Sequence, residues 1–198
     1  MRAALLVFVA VIGSLALGAA SAGAVEWLDN GNKIAGSQAL SVSGPLLLDE
    51  TTNKIEIVCE TVGTGTVGPG AADSITGLTL ANCLTLVGGC EKDEVTALEL
   101  PWKTEVQEPK AGESRDFIAN GGKGEPAYLV KCELLGNIKQ EVSCAGQTSV
   151  VLGNVFPDVL GLYDVKSETL SCGFGIGNTV VSGEILYVLG NKDPLAFG

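Results

Sequence analysis

Apolar and polar residues alternate along several short stretches of the chain. In residues 128–134, Val130 and Cys132 fall on one face of an extended backbone, and Lys131 and Glu133 fall on the other. An alternation with period two is typical of a β-strand that is buried on one side. The same pattern predicts strands over residues 54–60, 75–86, 94–102, 148–152, 160–172 and 179–189.

Glycine separates these short apolar stretches throughout the chain. There are 27 glycines among 198 residues, about twice the usual share of roughly 7 per cent. Frequent turns between short strands favour an all-β fold, either an antiparallel β-sandwich or a β-barrel.

One segment predicts helix rather than strand. In residues 113–120, Ser114 is a suitable N-cap and Asp116 falls in the first turn, while Gly121 and Gly122 supply a stop signal. We expect one short helical turn here. Residues 121–126 contain three glycines and a proline and are expected to form a surface loop.

The N-terminus has the features of a secretory signal peptide. Arg2 precedes an uninterrupted run of small and apolar residues, and two small-x-small sites follow it, the second ending at Ala24. The alternative is a retained membrane anchor, because the run approaches the length that spans a bilayer. We expect cleavage after Ala24, which leaves residues 25–198 as a single β domain, and no later stretch is long and apolar enough to span a membrane as a helix.

Six cysteines follow this signal, namely Cys59, Cys83, Cys90, Cys132, Cys144 and Cys172. An even number of cysteines in an exported chain predicts disulfide bonds and an extracytoplasmic location, secreted or at the cell surface. Metal ligation is the alternative use, but the chain has no C-x-x-C pair and no histidine. We therefore expect no metal and no other cofactor.

Six cysteines permit fifteen pairings, and sequence alone does not choose among them. Proximity along the chain favours Cys83 with Cys90 and Cys132 with Cys144, since a turn lies between the members of each pair. The remaining bridge would join Cys59 to Cys172 and close the longest loop, so its removal would lower the melting temperature most.

The balance of charge excludes some partners. The formal net charge is −11, and it becomes −12 when Arg2 is removed with the signal. Nucleic acids and anionic membrane surfaces are therefore poor candidates. The acidic residues are scattered along the chain, which also fits a simple role in solubility.

The absence of histidine narrows the chemistry further. It removes the commonest general base and the usual partner of a serine or cysteine nucleophile. A pair of carboxylates, as in a glycosidase, is a catalytic arrangement that needs no histidine. No pair stands out, and the few aromatic residues do not favour sugar stacking.

Other motifs have ordinary structural interpretations. The G-x-G-x-x-G pattern of residues 63–68 is followed by Pro69 and Gly70, which favours a hairpin turn over a dinucleotide site. Residues 91–94 lack the ligand spacing of a calcium loop and are interpreted as a solvated turn. Arg115 is expected to form a structural ion pair or to clamp a carbonyl group rather than anchor a ligand. Both tryptophans, Trp27 and Trp102, are expected in the core.

The order of several motifs resembles a group of small exported proteins of high-GC Gram-positive bacteria. These motifs are residues 65–71, paired cysteines, Leu100-Pro101-Trp102, Arg115-Asp116, the glycine-rich residues 121–126 and Cys132. The resemblance covers most of the mature chain. It implies an exported, cysteine-bridged β fold and carries over no catalytic or ligand-binding residues.

These features predict an exported, non-enzymatic structural or binding protein with an extracellular or cell-envelope partner. A carrier of small apolar ligands with a cavity inside a β-barrel is the alternative, and it would need a cavity of several hundred Å³. A histidine-free carboxylate glycosidase is the third hypothesis.

Overall fold

A computed structural model describes residues 25–51, 54–87, 90–119, 127–134, 138–163, 169–172 and 178–198. The expected signal segment, residues 1–24, and the whole of the expected loop at residues 121–126 lie outside them. The described residues form fifteen strands and no helix, so the predicted all-β class is confirmed. None of the described residues belongs to a helix that is long and apolar enough to cross a membrane.

The strands differ greatly in length. Three short ones lie near the termini: β1 (Trp27–Asp29), β2 (Asn32–Lys33) and β15 (Leu195–Phe197). Four are long: β3 (Gln38–Glu50), β4 (Ile55–Val67), β5 (Ala72–Val87) and β14 (Asn178–Leu189). The others are β6 (Cys90–Leu98), β7 (Trp102–Lys110), β8 (Glu113–Ala119), β9 (Ala127–Leu134), β10 (Ile138–Ala145), β11 (Thr148–Val155), β12 (Asp158–Tyr163) and β13 (Thr169–Cys172).

Eight of these strands form a closed antiparallel barrel. Their order around the ring is β3, β4, β5, β7, β8, β11, β12 and β14, and β14 pairs with both β12 and β3 to close it. Closure leaves this ring without a free edge. The sequence left a β-sandwich and a β-barrel as alternatives, and this half of the molecule is a barrel.

The four long strands continue beyond the barrel and form part of a second lobe. There the start of β14 pairs with β13, and β10, β9 and β6 follow outward in that order. On the side of the lobe where β5 faces β6, the Thr85 hydroxyl of β5 donates a hydrogen bond to Asp93 of β6. We call β3, β4, β5 and β14 the shared strands, because they belong to both halves.

A small sheet of β15, β1 and β2 lies against the barrel. It places Trp27 at 0% exposure, with its ring centroid 5.7 Å from that of Tyr187 on β14. The second tryptophan, Trp102, is also fully buried and packs edge-to-face on Tyr128 of the second lobe. The expectation that both tryptophans belong to the core is confirmed.

The predicted helical turn at residues 113–120 is wrong over the described part. Residues 113–119 form β8, which pairs with β7 on one side and β11 on the other. The local cap signals are overridden because a central strand satisfies its backbone groups on both sides and buries Asp116 and Ile118 on one face.

Two predicted strands are each divided in the structure. Residues 94–102 contain the end of β6 at Leu98 and the start of β7 at Trp102, and residues 160–172 contain parts of β12 and β13. Pro101 lacks an N–H, which suits an interruption between strands. The alternation alone did not reveal these breaks.

Candidate functional site

All six cysteines are in disulfide bonds, as predicted, but the predicted pairing is wrong. The bridges are Cys59 with Cys83, Cys90 with Cys132, and Cys144 with Cys172. They indicate an oxidising, extracytoplasmic environment for folding.

The strand register explains the correction. On β9 and β10, Cys132 lies opposite Gln140, whereas Cys144 lies opposite Tyr128, so these two cysteines are separated along the ladder. Cys144 instead lies directly opposite Cys172. The predicted bridge between Cys59 and Cys172 would have to cross the two strands that lie between β4 and β13.

Among the described residues of the second lobe, one cluster has the composition of a metal site. Donor atoms of Cys90, Asp93 and Cys132 lie within 4.8 Å of one another. The two sulfurs are joined in a disulfide and cannot act as thiolate ligands. Asp93 accepts the hydrogen bond from Thr85. The cluster is thus a disulfide beside a paired carboxylate. The backbone of residues 91–94 belongs to β6, which corrects the predicted turn.

The remaining sequence motifs have structural roles. Gly63 and Gly65 lie inside β4, not in a hairpin turn, and a Cβ at Gly65 would come within 2.1 Å of the Ser74 carbonyl oxygen. Arg115 forms an ion pair with Glu113 at 2.8 Å and donates to the Ser149 hydroxyl. Of the two structural roles predicted for Arg115, the ion pair is confirmed.

Two aspartates lie inside the barrel, and no motif in the sequence indicates that they form a pair. Asp73 on β5 is 7% exposed and Asp116 on β8 is 0% exposed. The Tyr187 hydroxyl donates to Asp116 Oδ2 at 3.0 Å. Thr104 and Trp27 lie near Asp73, but neither oxygen of this carboxyl has a partner in hydrogen-bonding geometry.

Burial changes the protonation of both carboxyls. It raises the pKa of Asp116 to about 7, against the opposing effect of the Tyr187 hydrogen bond. Burial first, and then the nearby charge of Asp116, raise the pKa of Asp73 well above its ordinary value. The pair can therefore hold a proton at mildly acidic pH. Neither carboxyl has the exposure that a glycosidase needs at its cleavage site.

The second lobe contains a cavity of about 50 Å³. Most of its lining is apolar, and two of the three disulfides contribute to it. The residues that line it are Leu48, Glu50, Ile55, Ile57, Cys90, Val130, Cys132, Gln140, Val142, Cys144, Cys172 and Thr179. Its volume is far below the roughly 300–1,000 Å³ of sites for drug-sized ligands.

The outside of the shared strands forms a second candidate site. We call it the four-strand outer surface and define it by the outward-facing residues of β14, β3, β4 and β5. Val62, Leu84 and Leu86 are exposed there by 62%, 63% and 58%. In the register, Leu47, Val58 and Leu84 form one continuous row across three strands.

The charges on this surface all have one sign. The shared strands are 13, 13, 16 and 12 residues long and contain no lysine or arginine. Asp49, Glu56, Glu60 and Glu184 supply the acidic groups of the outward face. A surface with exposed apolar side chains and only negative charge suits contact with an apolar partner that carries cations.

No protein-family model, curated protein or solved structure matches the chain. The assignment of a site therefore depends on geometry and chemistry. Sequence periodicity indicated half-buried strands, but only the strand order reveals that the four cation-free strands are neighbours.

Proposed function

We propose that this chain is an exported, non-enzymatic binding protein that docks a cationic protein partner on the four-strand outer surface. The observation that carries the proposal is the combination of exposed Val62, Leu84 and Leu86 with four strands that contain no cation. Apolar contact supplies the affinity of such an interface, and charge complementarity supplies orientation and speeds association.

Several features of the molecule support a binding role over a catalytic one. The carboxyls with raised pKa values, Asp73 and Asp116, are enclosed in the barrel. The barrel and the disulfides hold the long strands in fixed register, which lowers the entropic cost of presenting a binding surface. Export, which the signal-like N-terminus suggests, is part of the proposal.

The test uses a defined cationic, apolar strand as the probe. A fluorescein-labelled peptide of alternating lysine and leucine should bind the purified mature protein at 150 mM salt, measured by fluorescence anisotropy. Its glutamate–leucine counterpart should bind at least tenfold more weakly. Failure of the lysine–leucine peptide to bind would overturn the proposed function.

Matched variants separate this surface from the general acidity of the protein. Val62→Lys lies on the proposed surface, and Val155→Lys makes the same change at a 43%-exposed valine on β11. Both alter the net charge equally. Val62→Lys should weaken peptide binding at least fivefold, and Val155→Lys should weaken it less than twofold. Equal losses would assign the binding to net charge, and a larger loss for Val155→Lys would place the site near the β11–β12 hairpin.

A further inference from the structure

Acidic and apolar side chains alternate along the outward face of β4. Burial alternates along this strand, and Glu56, Val58, Glu60 and Val62 face outward in that order. Successive outward side chains of a strand lie about 6.7 Å apart. The outward face of β4 therefore presents an acid, an apolar group, an acid and an apolar group at a regular spacing.

The neighbouring strand β3 repeats the first half of this order. Asp49 lies directly opposite Glu56, and Leu47 lies directly opposite Val58. β3 pairs with β4 over its whole length, Gln38–Glu50, without a register shift. The two strands thus form an acidic band and, beside it, an apolar band, and both bands run across the strands.

The other neighbour of β3, strand β14, repeats the second half. β14 and β4 run in the same direction, since both are antiparallel to β3. Leu186 of β14 and Val62 of β4 both lie opposite Ser43, one on each side. Glu184 precedes Leu186 on the outward face, as Glu60 precedes Val62. The order of acidic and apolar groups therefore extends beyond a single strand.

Salt bridges within the described part of the chain do not neutralise these bands. They involve none of the four acids, Asp49, Glu56, Glu60 and Glu184. Glu60 accepts a hydrogen bond from the neutral side chain of Asn82, which orients its carboxylate and leaves its charge in place. Like charges directly opposite each other destabilise a sheet. A cation placed between Asp49 and Glu56 would remove this repulsion.

The spacing of the bands selects the backbone of the partner. A β-strand laid along β4 repeats its facing side chains at the same distance of about 6.7 Å, so these side chains stay in phase with the bands. Sheets that pack face to face keep their strand directions within about 30° of each other. A helix laid in the same direction advances about 5.4 Å per turn and loses the phase within a few turns.

We propose that the cationic partner docks an extended strand along β4, and that lysine or arginine alternates with apolar residues at its facing positions. Cations then recur at every fourth residue of the partner strand. This inference rests on the proposed function, because it specifies the partner of the same four-strand outer surface. Charge complementarity fixes the register of the partner, and the apolar groups between the charges supply contact area.

Two nine-residue peptides of identical composition test the order. Both carry fluorescein and have threonine at every second position. The facing positions read Lys-Val-Lys-Val in the in-phase peptide and Lys-Val-Val-Lys in the reordered peptide. In fluorescence anisotropy at 150 mM salt, the wild-type protein should bind the in-phase peptide at least fivefold more tightly. Equal affinities, or tighter binding of the reordered peptide, would refute the inference.

A double variant exchanges two neighbouring outward positions of β4. Glu60→Val combined with Val62→Glu keeps the composition and net charge of the protein. It changes the outward order of the strand to acid, apolar, apolar, acid. This variant should bind the reordered peptide at least fivefold more tightly than the in-phase peptide. Retention of the wild-type preference would show that β4 does not read the partner.

A single variant tests the pair of opposed acids. Glu56→Gln should weaken binding of the in-phase peptide at least threefold, because Asp49 alone then faces the lysine. Glu141→Gln, which removes an exposed acid from β10, is the control and should change the affinity less than 1.5-fold. Equal losses would assign the effect to net charge and overturn the cation position between Asp49 and Glu56.

The outcomes separate this inference from the proposed function. If the alternating lysine–leucine peptide binds and the two nine-residue peptides bind equally, the docking surface is supported and the inferred order is overturned. If none of the three peptides binds, both are overturned. An infrared amide I band typical of helix in the bound, ¹³C-carbonyl-labelled in-phase peptide would also overturn the extended strand. Circular-dichroism melting curves check the fold of each variant, and the wild-type comparison decides the inference if the double variant fails to fold.

Discussion

Gly44 and Gly183 lie on neighbouring strands, and each occupies a position where the adjacent backbone leaves no room for a side chain. A Cβ at Gly44 would lie 2.0 Å from the Glu184 carbonyl oxygen, and one at Gly183 would lie 2.2 Å from the Pro45 carbonyl oxygen. Both residues have positive φ angles, 154° and 135°. The β3–β14 ladder is irregular here, close to where β14 changes its partner from β12 to β13. The two glycines thus permit the passage of the shared strands from barrel to second lobe.

Replacing Gly183 with alanine should therefore destabilise the protein strongly. The new Cβ meets backbone, which cannot rotate away, and the positive φ adds strain for an L-residue. We expect the free energy of unfolding in urea to fall by about 3 kcal/mol or more. Gly36→Ala is the matched control, because nothing lies within 4 Å of its Cβ position. A loss below about 1 kcal/mol for Gly183→Ala would contradict the close approach.

Several strands could be predicted from the sequence because each of them buries one face and exposes the other. In residues 54–60 and 179–189, alternating burial produced the period-two pattern that identified β4 and β14. Local signals failed at β8, where Ser114 and Asp116 suggested a helix cap, since tertiary pairing on both sides determines that segment.

Pairing between distant strands was also outside the reach of local patterns. The bridge from Cys90 to Cys132 spans 42 residues and depends on β6 lying beside β9. Glu50 gave no signal as a cavity residue, because the cavity walls come from strands that are far apart in sequence. The strand order is the information that the sequence pattern lacks.

Burial of Asp73 and Asp116 contributes a free energy of unfolding that decreases as the pH rises. An unfolded aspartate titrates near pH 4, whereas the pKa of Asp116 is raised to about 7 and that of Asp73 is also raised. Between these values the folded protein retains protons that the unfolded chain has released. The contribution of the pair to stability is then greatest below about pH 4 and is lost as the pH rises through 7, by on the order of 4 kcal/mol for Asp116.

Urea unfolding at pH 4.5, 6 and 8 measures this contribution. The wild-type protein should lose stability across the series, and Asp116→Asn should lose much less because its side chain does not titrate. At pH 8 this variant should be more stable than the wild type. Glu184→Gln, an exposed acid on the same strand as Tyr187, is the control and should retain the wild-type slope. The same change of stability between pH 4.5 and 8 in the wild type and in Asp116→Asn would disprove the assignment.

The disulfide connectivity gives a direct chemical prediction. Peptide mapping of the unreduced protein should yield links of Cys59 to Cys83, Cys90 to Cys132 and Cys144 to Cys172. A peptide that joins Cys59 to Cys172 would show that the register is wrong. Because the 42-residue separation of Cys90 and Cys132 is the longest, replacing both with serine should cost about 4 kcal/mol, slightly more than removing either other bridge.

Trp27 ties the small terminal sheet to the barrel. Its side chain is fully buried against Tyr187, and its backbone N–H donates to the Gly70 carbonyl oxygen. Trp27→Ala should lower the free energy of unfolding by about 3–5 kcal/mol, because it leaves a large cavity beside the aromatic ring. Phe156→Ala removes another aromatic side chain, but one that is 88% exposed, and should change stability by less than about 0.5 kcal/mol. Both variants are compared with the wild type by urea unfolding monitored with far-ultraviolet circular dichroism. Similar losses for the two would show that Trp27 does not pack inside the fold.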